Sequence, residues 1–144
     1  MVIAVIGENC AGKSTLAGKI QAKIGGEIIT GKDYLRMARS EAEARRLFQD
    51  KLKAALAGDN IIYVISEMDH LALVPDGTVR VLVRADLDTI KARFRERMRG
   101  NLPEPVSRML GKKHGLFDGI AYDFAYDGAS GDHAALCEAL KKLK

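Results

Sequence analysis

The stretch Gly7-Glu8-Asn9-Cys10-Ala11-Gly12-Lys13-Ser14 decides how the rest of this sequence is interpreted. It fits the pattern G-x-x-x-x-G-K-[ST] without a mismatch. In this pattern the glycines allow a tight path that turns successive backbone N–H groups toward phosphate oxygens, and the following helix adds the positive end of its dipole. Lys13 is predicted to reach the β- and γ-phosphates, and the hydroxyl of Ser14 to ligate Mg²⁺. We therefore expect a phosphate-binding loop, or P-loop.

The context of the motif separates a working loop from a chance match in a glycine-rich turn. The apolar run Val2–Ile6 precedes it and is typical of a parallel strand buried on both faces. Leu16, Ile20 and Ile24 follow at helical spacing. A strand that leads through the loop into a helix is the arrangement that the motif requires.

The ligand that this loop predicts is a purine nucleoside triphosphate, ATP with Mg²⁺. The residues expected to contact it are those of the loop and the first helical turn: Gly7, Glu8, Asn9, Cys10, Ala11, Gly12, Lys13, Ser14 and Thr15. Thr15 is predicted to contact the α-phosphate. Cys10 stands at a variable position and is interpreted as a tolerated small residue rather than a redox switch.

Strands and helices alternate along the rest of the chain. The predicted strands are Val2–Ile6, Glu27–Thr30 and residues 60–65, 78–84 and 122–126. The predicted helices begin near Lys13, near residue 34, after the N-cap Asp86, near residue 106 and near Asp132. The second of these is expected to run to about residue 57, where Gly58 and Asp59 close it. The alternation implies a three-layer α/β structure, a parallel sheet with helices on both faces, in one domain over residues 1–144.

The composition agrees with a single globular domain and excludes several other classes. Hydrophobic residues make up 47% of the 144 residues, and no apolar run approaches the roughly 20 residues of a membrane-spanning helix. The first residues lack a basic leader and predict a strand rather than a signal peptide. Cys10 and Cys137 lie far apart without metal-ligand spacing, which favours a reducing, cytoplasmic location.

The net charge of +4 is concentrated in one segment. Between Arg93 and Lys113 there are seven basic residues and two acidic ones. Such a stretch could bind phosphates of small molecules or of nucleic acid, or could be an ordinary solvated helix face. We take phosphates of small molecules as the preferred interpretation and keep nucleic acid as the alternative partner.

Four stretches follow one another in the order found in one group of P-loop proteins. They are the P-loop, Thr30-Gly31-Lys32-Asp33-Tyr34-Leu35-Arg36 after the second strand, the basic segment ending in Glu104-Pro105-Val106-Ser107-Arg108-Met109-Leu110, and residues 122–132. In this order they resemble the nucleoside and nucleotide kinases, which include adenylate, cytidylate, shikimate and dephospho-CoA kinases. The resemblance implies a five-stranded sheet of order 2-3-1-4-5, an acceptor-binding helical segment at about residues 31–58 and a short lid at about residues 93–113.

The resemblance also implies roles for residues on the acceptor side. Arg36 matches the arginine that binds the acceptor's phosphate in adenylate kinases, although the segment here has one extra residue. Asp33 matches the aspartate that orients an acceptor hydroxyl, and takes its proton, in relatives that phosphorylate alcohols. The alternative for Asp33 is that it caps the following helix.

The lid and the last loop carry the remaining candidates. Arg93 and Arg97 are spaced i, i+4 and share a helix face. With Arg108 they match lid arginines that offset the charge on the transferred phosphoryl group, the alternative being plain surface solvation. The small residues of the last loop would leave room for a purine ring, the alternative being an ordinary turn: Gly128, Ala129 and Gly131.

One stretch departs from the adenylate kinase pattern. Residues 66–70 read Ser-Glu-Met-Asp-His where those kinases carry Asp-Gly-Phe-Pro-Arg, so the second acceptor-phosphate arginine is missing. Glu67 is the candidate to hold a magnesium-bound water and to contact the substrate, with Asp69 as the alternative. The three histidines form no ligand cluster and are left out of the predicted site.

The sequence thus predicts an ATP-dependent kinase that transfers the γ-phosphoryl group to a nucleotide, nucleoside or metabolite acceptor, as a monomer or homodimer. Two alternatives stay open: a slowly hydrolysing ATP-dependent switch, and a kinase acting on nucleic-acid ends.

Overall fold

A computed structural model describes residues 1–143 of the chain. Its centre is a five-stranded sheet of order β2-β3-β1-β4-β5, and all four strand pairs are parallel. The strands are β1 (Val2–Ile6), β2 (Glu27–Thr30), β3 (Ile61–Ile65), β4 (Val79–Arg84) and β5 (Phe124–Asp127). The predicted fold class and strand order are confirmed.

Between and after the strands, residues 1–143 form five α-helices and two short 3₁₀-helices. The α-helices are α1 (Lys13–Ile24), α2 (Glu41–Ala55), α3 (Leu87–Arg97), α4 (Glu104–Lys113) and α5 (His133–Lys142), and the 3₁₀-helices are Asp33–Met37 and Met68–Leu73. None of the helices within residues 1–143 combines the length and the apolar character that crossing a membrane requires.

The central strand β1 is covered on both faces. Its five residues are fully buried. Because side chains alternate along a strand, Val2, Ala4 and Ile6 pack in one cluster and Ile3 and Val5 in another. The first cluster lies under α2, and the second under α1 and α5. This double burial explains why the strand is an unbroken apolar run.

A third, smaller cluster joins the P-loop to the lid helices. Its buried residues are Cys10 from the loop, Ile90 from α3 and Leu110 from α4. Phe94 and Val106 pack against its edge. The base of the lid is thus anchored on the P-loop itself.

The predicted single helix at residues 34–57 is wrong, because the chain forms two helices there. Ala38 is extended, with φ −156° and ψ 168°, and separates the 3₁₀-helix Asp33–Met37 from α2. The hydroxyl of Ser40 accepts the N–H of Glu43 at 3.1 Å and starts α2 as its N-cap. Ser40 followed three residues later by glutamate is the sequence signature of a capping box, and it was the signal for the break.

Candidate functional site

The P-loop follows β1 at the carboxyl edge of the sheet. The N–H of Gly7 donates to the carbonyl of Ile65 on β3 at 3.1 Å. A Cβ atom at Gly7 would stand 2.6 Å from the carbonyl oxygen of Val83 on β4. The first glycine of the motif is therefore required by the close passage of the loop between two strands.

The amino end of α1 is left open for an anion. Three helices begin with a side-chain cap: Ser40 on α2, Asp86 on α3 and Asp132 on α5 each accept an N–H of the first turn. The N-cap of α1 is instead Gly12, which has φ 109° and provides no side-chain cap, and the first turn of α1 has no acidic residue. Uncapped N–H groups at the positive end of the helix dipole favour a bound anion.

Lys13 is buried beside this uncapped end. Only 5% of its surface is exposed, and its ammonium group donates to the carbonyl oxygen of Glu8 within the loop. The pKa of Lys13 is lowered to about 8, mainly by burial and in part by the nearby Arg97, while Cys10 and Glu8 act in the opposite direction. A buried cation has a depressed pKa when no anion lies close enough to balance its charge. A bound phosphate would supply that anion.

We expect the burial of Lys13 to be measurable as a pH-dependent difference in stability. The folded-state pKa of about 8 lies below the model value of 10.5, so the unfolded chain binds more protons in this window and stability rises with pH. Relative to Lys13→Met, the free energy of unfolding of the ligand-free wild type should rise by about 2 kcal/mol between about pH 7 and about pH 9.5. Urea unfolding of both proteins at each pH measures it. A constant difference would contradict the buried, charged Lys13.

A small cavity of about 110 Å³ brings the P-loop together with groups from three other elements. Lys13, Ser14 and Thr15 are among the residues that line it. So are Thr30 at the end of β2, Val64 and Ser66 at the end of β3, and Arg97 on α3. The end of the P-loop thus shares a cavity with the ends of the strands that lead to the predicted acceptor segment.

A larger cavity of about 300 Å³ lies beside the first, between α1, α3 and the loop after β5. Its lining includes Thr15, Arg93, Gly128, Ala129 and Gly131. The sequence assigned Arg93 to the lid and the other four to the nucleotide, and the fold brings all five to one place. Arg97 lines both cavities.

The two lid arginines of α3 differ in their contacts although they share a face. The guanidinium of Arg93 donates to the carbonyl of Cys10 at 3.1 Å and to the carbonyl of Gly128 at 2.8 Å. It thereby fastens the P-loop to the loop after β5. Arg97 makes no such bond within the described residues, and its positive charge lies close enough to lower the pKa of Lys13.

Gly128 and Gly131 are required by close packing. A Cβ atom at Gly128 would collide with the backbone carbonyl of Ala11 in the P-loop. At Gly131 it would stand 2.5 Å from the carbonyl oxygen of Asp127 and 2.6 Å from the ring of Tyr126. The absent side chain of Gly128 lets the last loop touch the P-loop, and that of Gly131 lets the loop fold back on the end of β5. Sequence reasoning did not assign these roles to them.

We expect Gly128→Ala to lower the free energy of unfolding by about 1–3 kcal/mol, because the added methyl forces the two loops apart. It should also weaken nucleotide binding. Gly18→Ala is the matched control, since a Cβ atom at this position of α1 meets nothing within 4 Å. That change should stabilise the protein by roughly 0.5–1 kcal/mol through helix propensity. Urea unfolding distinguishes the two, and equal effects would contradict the packing argument.

Glu8 links the P-loop to the far end of the lid. One carboxylate oxygen lies 3.1 Å from Nδ1 of His114, and the other accepts the N–H of Gly115 at 3.2 Å. Only 16% of the Glu8 side chain is exposed. His114, which the sequence left out of the site, thus contacts the loop across more than a hundred residues of chain.

The other predicted site residues lie at the surface. Arg108 is 73% exposed and pairs with Glu104 one turn away at 3.4 Å, a contact that contributes little to stability.

Asp33 and Arg36 are exposed on the 3₁₀-helix Asp33–Met37. Asp33 does not cap that helix, since the N-cap Lys32 has no side-chain cap bond and Asp33 begins the first turn. Glu67 is exposed next to Ser66, and it is Ser66 that lines the small cavity.

An aromatic cluster holds the 3₁₀-helix that carries Asp33 and Arg36. The ring of Tyr34 stacks on Phe48 of α2 at a centroid distance of 5.1 Å, and Phe48 meets Tyr63 edge-on at 4.9 Å. The hydroxyl of Tyr63 donates to the carbonyl of Gly31 at 2.8 Å. Burial raises the pKa of Tyr63 well above its ordinary value, so the hydroxyl remains a donor.

Comparison with solved structures relates this architecture to known proteins. No protein-family model matches the chain, and no curated protein matches it by sequence. A sugar kinase from Janibacter sp. HTCC2649 superposes with a TM-score of 0.63 at 16% identity, over 98% of this chain and 92% of that one. The shikimate kinase of Bacteroides thetaiotaomicron gives a TM-score of 0.61 at 17% identity, over 99% and 97% of the two chains. The chain has the P-loop kinase fold.

A third P-loop kinase shows the same likeness with a nucleotide present. The deoxyadenosine kinase of M. mycoides with bound dATP superposes with a TM-score of 0.56 at 18% identity, over 99% of this chain and 98% of that one. Since the identities are this low, the likeness concerns the fold, and the activity must be argued from the residues of the site.

Proposed function

We propose that this protein is an ATP- and Mg²⁺-dependent small-molecule kinase of the cytoplasm, which transfers the γ-phosphoryl group of ATP to an acceptor. One observation carries the proposal: Lys13, Ser14 and Arg97 surround one cavity together with Ser66 and Thr30 at the ends of β3 and β2. A phosphate bound by the loop would thus lie between a cationic lid residue and the acceptor side. Parallel α/β sheets bind ligands at this carboxyl edge.

The residues present fit a bound nucleotide. The uncapped start of α1 and the buried ammonium of Lys13 both lack an anionic partner, and a triphosphate provides one. Thr15 joins the two cavities, so that a phosphate chain at Lys13 can continue toward a base near Gly128 and Ala129.

The fit for Mg²⁺ is a partial one, as is usual for this ion. Across residues 1–143 no three His, Cys, Asp or Glu side chains converge on a metal position. Mg²⁺ is commonly held by one or two protein oxygens together with substrate phosphates and water. The hydroxyl of Ser14 would supply such an oxygen, with Glu67 as the candidate beyond Ser66.

In phosphoryl transfer the protein mainly positions groups and stabilises charge. Bound MgATP supplies the transferred group, and the metal offsets part of its charge. Lys13 would hold and neutralise the phosphates, and Arg97 would stabilise the charge that spreads over the transferred group. Asp33 would orient the acceptor hydroxyl and accept its proton. Arg36 is the single candidate to bind a phosphate of the acceptor, since the second arginine of the adenylate kinase pattern is missing. This favours an acceptor that the protein recognises through a hydroxyl group.

A screen with γ-labelled ATP tests the proposal. The protein would be incubated with separate pools of nucleoside monophosphates, nucleosides, hydroxylated metabolites and short oligonucleotides, and the fate of the label followed. Label on an acceptor supports the kinase. Slow release to water alone supports the ATP-dependent switch instead. Transfer only to oligonucleotide ends, lost with rising salt, supports the nucleic-acid-end kinase.

We expect Asp33→Asn to suppress transfer to a hydroxyl acceptor by about 10²–10⁴-fold, since the amide cannot accept the proton. ATP binding should be unchanged, because Asp33 lies outside both nucleotide cavities. Asp76→Asn, at an exposed turn before β4, is the control. Transfer rate and nucleotide-induced thermal shift measure the two effects. Undiminished transfer by Asp33→Asn would exclude it as the base.

A further inference from the structure

The side chain of Glu8 is turned away from the nucleotide cavities although the residue belongs to the P-loop. Glu8 lines neither of the two cavities that the proposed function assigns to ATP. It lines instead a third cavity of about 450 Å³, together with Arg84 and Asp86 around the end of β4 and His114 at the end of α4. An effect of this carboxylate on the proposed reaction therefore acts through the groups that it holds.

Glu8 bonds to the P-loop and to the lid at the same time. Its carbonyl oxygen accepts the ammonium group of Lys13 and the N–H of Ala11, the latter at 3.2 Å. Its carboxylate accepts the N–H of Gly115 and contacts Nδ1 of His114. Only 16% of the Glu8 side chain is exposed, so water competes little for these bonds. One residue thus fixes both the lysine of the phosphate site and the chain that leaves the lid.

The lid is bonded to the P-loop at both of its ends. At the first end, Arg93 of α3 donates to the carbonyl of Cys10 at 3.1 Å. At the second end, Gly115 follows α4 with φ 80°, a conformation that favours glycine, and donates to Glu8 at 3.2 Å. Between these bonds, α3 and α4 pack against each other and against Cys10. The position of Arg97 at the end of α3 therefore depends on both attachments.

We propose that Glu8 is a positioning residue, which holds the lid on the P-loop and thereby keeps Arg97 beside the phosphates that Lys13 binds. The inference rests on the proposed function, since it concerns the transferred phosphoryl group. Transfer depends on exact placement of the charged groups, and a displacement of about 1 Å can cost on the order of a hundredfold in rate. Nucleotide binding draws on the backbone of the loop, which a substitution of the Glu8 side chain leaves in place.

The test compares Glu8→Ala and Glu8→Gln with the wild type. Turnover is followed as release of labelled phosphate from γ-labelled MgATP, in which water replaces the acceptor, and the dissociation constant of ATP is measured by titration. We expect Glu8→Ala to lower turnover on the order of ten- to a hundredfold and to change the dissociation constant less than about threefold. Glutamine keeps an oxygen for the N–H of Gly115, and its amide can donate to Nδ1 of a neutral His114. Glu8→Gln should therefore restore most of the turnover.

Two further variants separate the attachment from general effects. His114→Ala removes one of the two contacts of the carboxylate, and it should add nothing to the loss in Glu8→Ala, because both changes act on the same attachment. Glu138→Ala removes a carboxylate that is 57% exposed on α5, and it should match the wild type in every measurement. An unfolding curve checks that each variant folds.

Amide hydrogen exchange of residues 110–116 reports the attachment itself. It should become faster in Glu8→Ala and stay close to the wild type in Glu8→Gln, because the N–H of Gly115 loses its acceptor only in the alanine variant. Unchanged turnover in Glu8→Ala would overturn the inference, and so would a Glu8→Gln protein that is as slow as Glu8→Ala. Equal losses of turnover and of ATP affinity would indicate a direct contact with the nucleotide instead. The proposed function fails separately, if the wild type binds no ATP, and the exchange of residues 110–116 then still shows whether Glu8 holds the lid.

Discussion

Replacing Lys13 by alanine is expected to abolish the thermal stabilisation of the protein by MgATP. Among the lysines in residues 1–143, Lys13 alone is buried, and it lies beside the uncapped end of α1. Charge-assisted hydrogen bonds to phosphate are about twice as strong as neutral ones, and they are stronger still in a site that excludes water. Turnover should fall by at least about 10²–10³-fold, the usual loss when a group that stabilises transition-state charge is removed.

The control for Lys13 is available on the same helix. Lys23→Ala removes an exposed lysine from the last turn of α1, away from the loop. It should keep the full MgATP shift in a thermal melt. The Lys13 variant without ligand should melt no lower than the wild type below about pH 8, because it lacks the cost of a buried charge. A Lys13→Ala protein that is stabilised by MgATP as strongly as the wild type would exclude the loop as the phosphate site.

Replacing Arg97 by alanine is expected to reduce turnover by about 10³-fold while weakening ATP binding less than tenfold, as for arginines that act on the transferred phosphoryl group. Arg97 lines the cavity of Lys13 and Ser14, and it is not engaged by backbone carbonyls as Arg93 is. Its guanidinium is therefore free to turn toward charge that develops during transfer. Initial rates at saturating ATP, together with dissociation constants from titration, separate the two effects.

Arg95→Ala is the matched control for Arg97. The two residues are two positions apart on α3 and therefore point to nearly opposite sides of the helix. Arg95 is exposed and lines neither cavity of the site. Equal losses of turnover and of ATP affinity in Arg97→Ala would indicate a binding role, and an equal effect of Arg95→Ala would indicate a general effect of lid charge.

Much of the fold follows from short-range patterns in the chain. The run Val2–Ile6 is apolar throughout because both faces of β1 are covered, and Leu16 and Ile20 recur at helical spacing because one face of α1 is buried. The helix break after Met37 was missed, although the capping signal of Ser40 and Glu43 lay in the sequence. Helical spacing of apolar residues over residues 34–57 favoured one long helix, whereas the cap hydrogen bond of Ser40 starts a separate one.

The candidate site also has parts that the sequence predicted and parts that it did not. The P-loop was legible because its function depends on consecutive backbone groups and on glycines at defined positions. The contacts of Glu8 with His114 and of Arg93 with Gly128 join residues that are far apart in the chain, and no local pattern signals them. Ser66 was likewise passed over in favour of its charged neighbour Glu67, because only the path of β3 decides which side chain lines the cavity.

The sequence by itself determined the phosphate loop, the parallel sheet and its order, since each depends on local spacing or on an established resemblance. Only the tertiary structure decided that Arg93 bonds the P-loop to the loop after β5, whereas Arg97 lies near Lys13. The two arginines share a helix face. The tertiary structure also decided that Gly128 is needed for contact with the P-loop, and that the carboxylate of Asp127 accepts the N–H groups of Ala129 and Ser130. The physical reason is that hydrogen-bond partners and excluded volume depend on distances between segments, which only the packed chain defines.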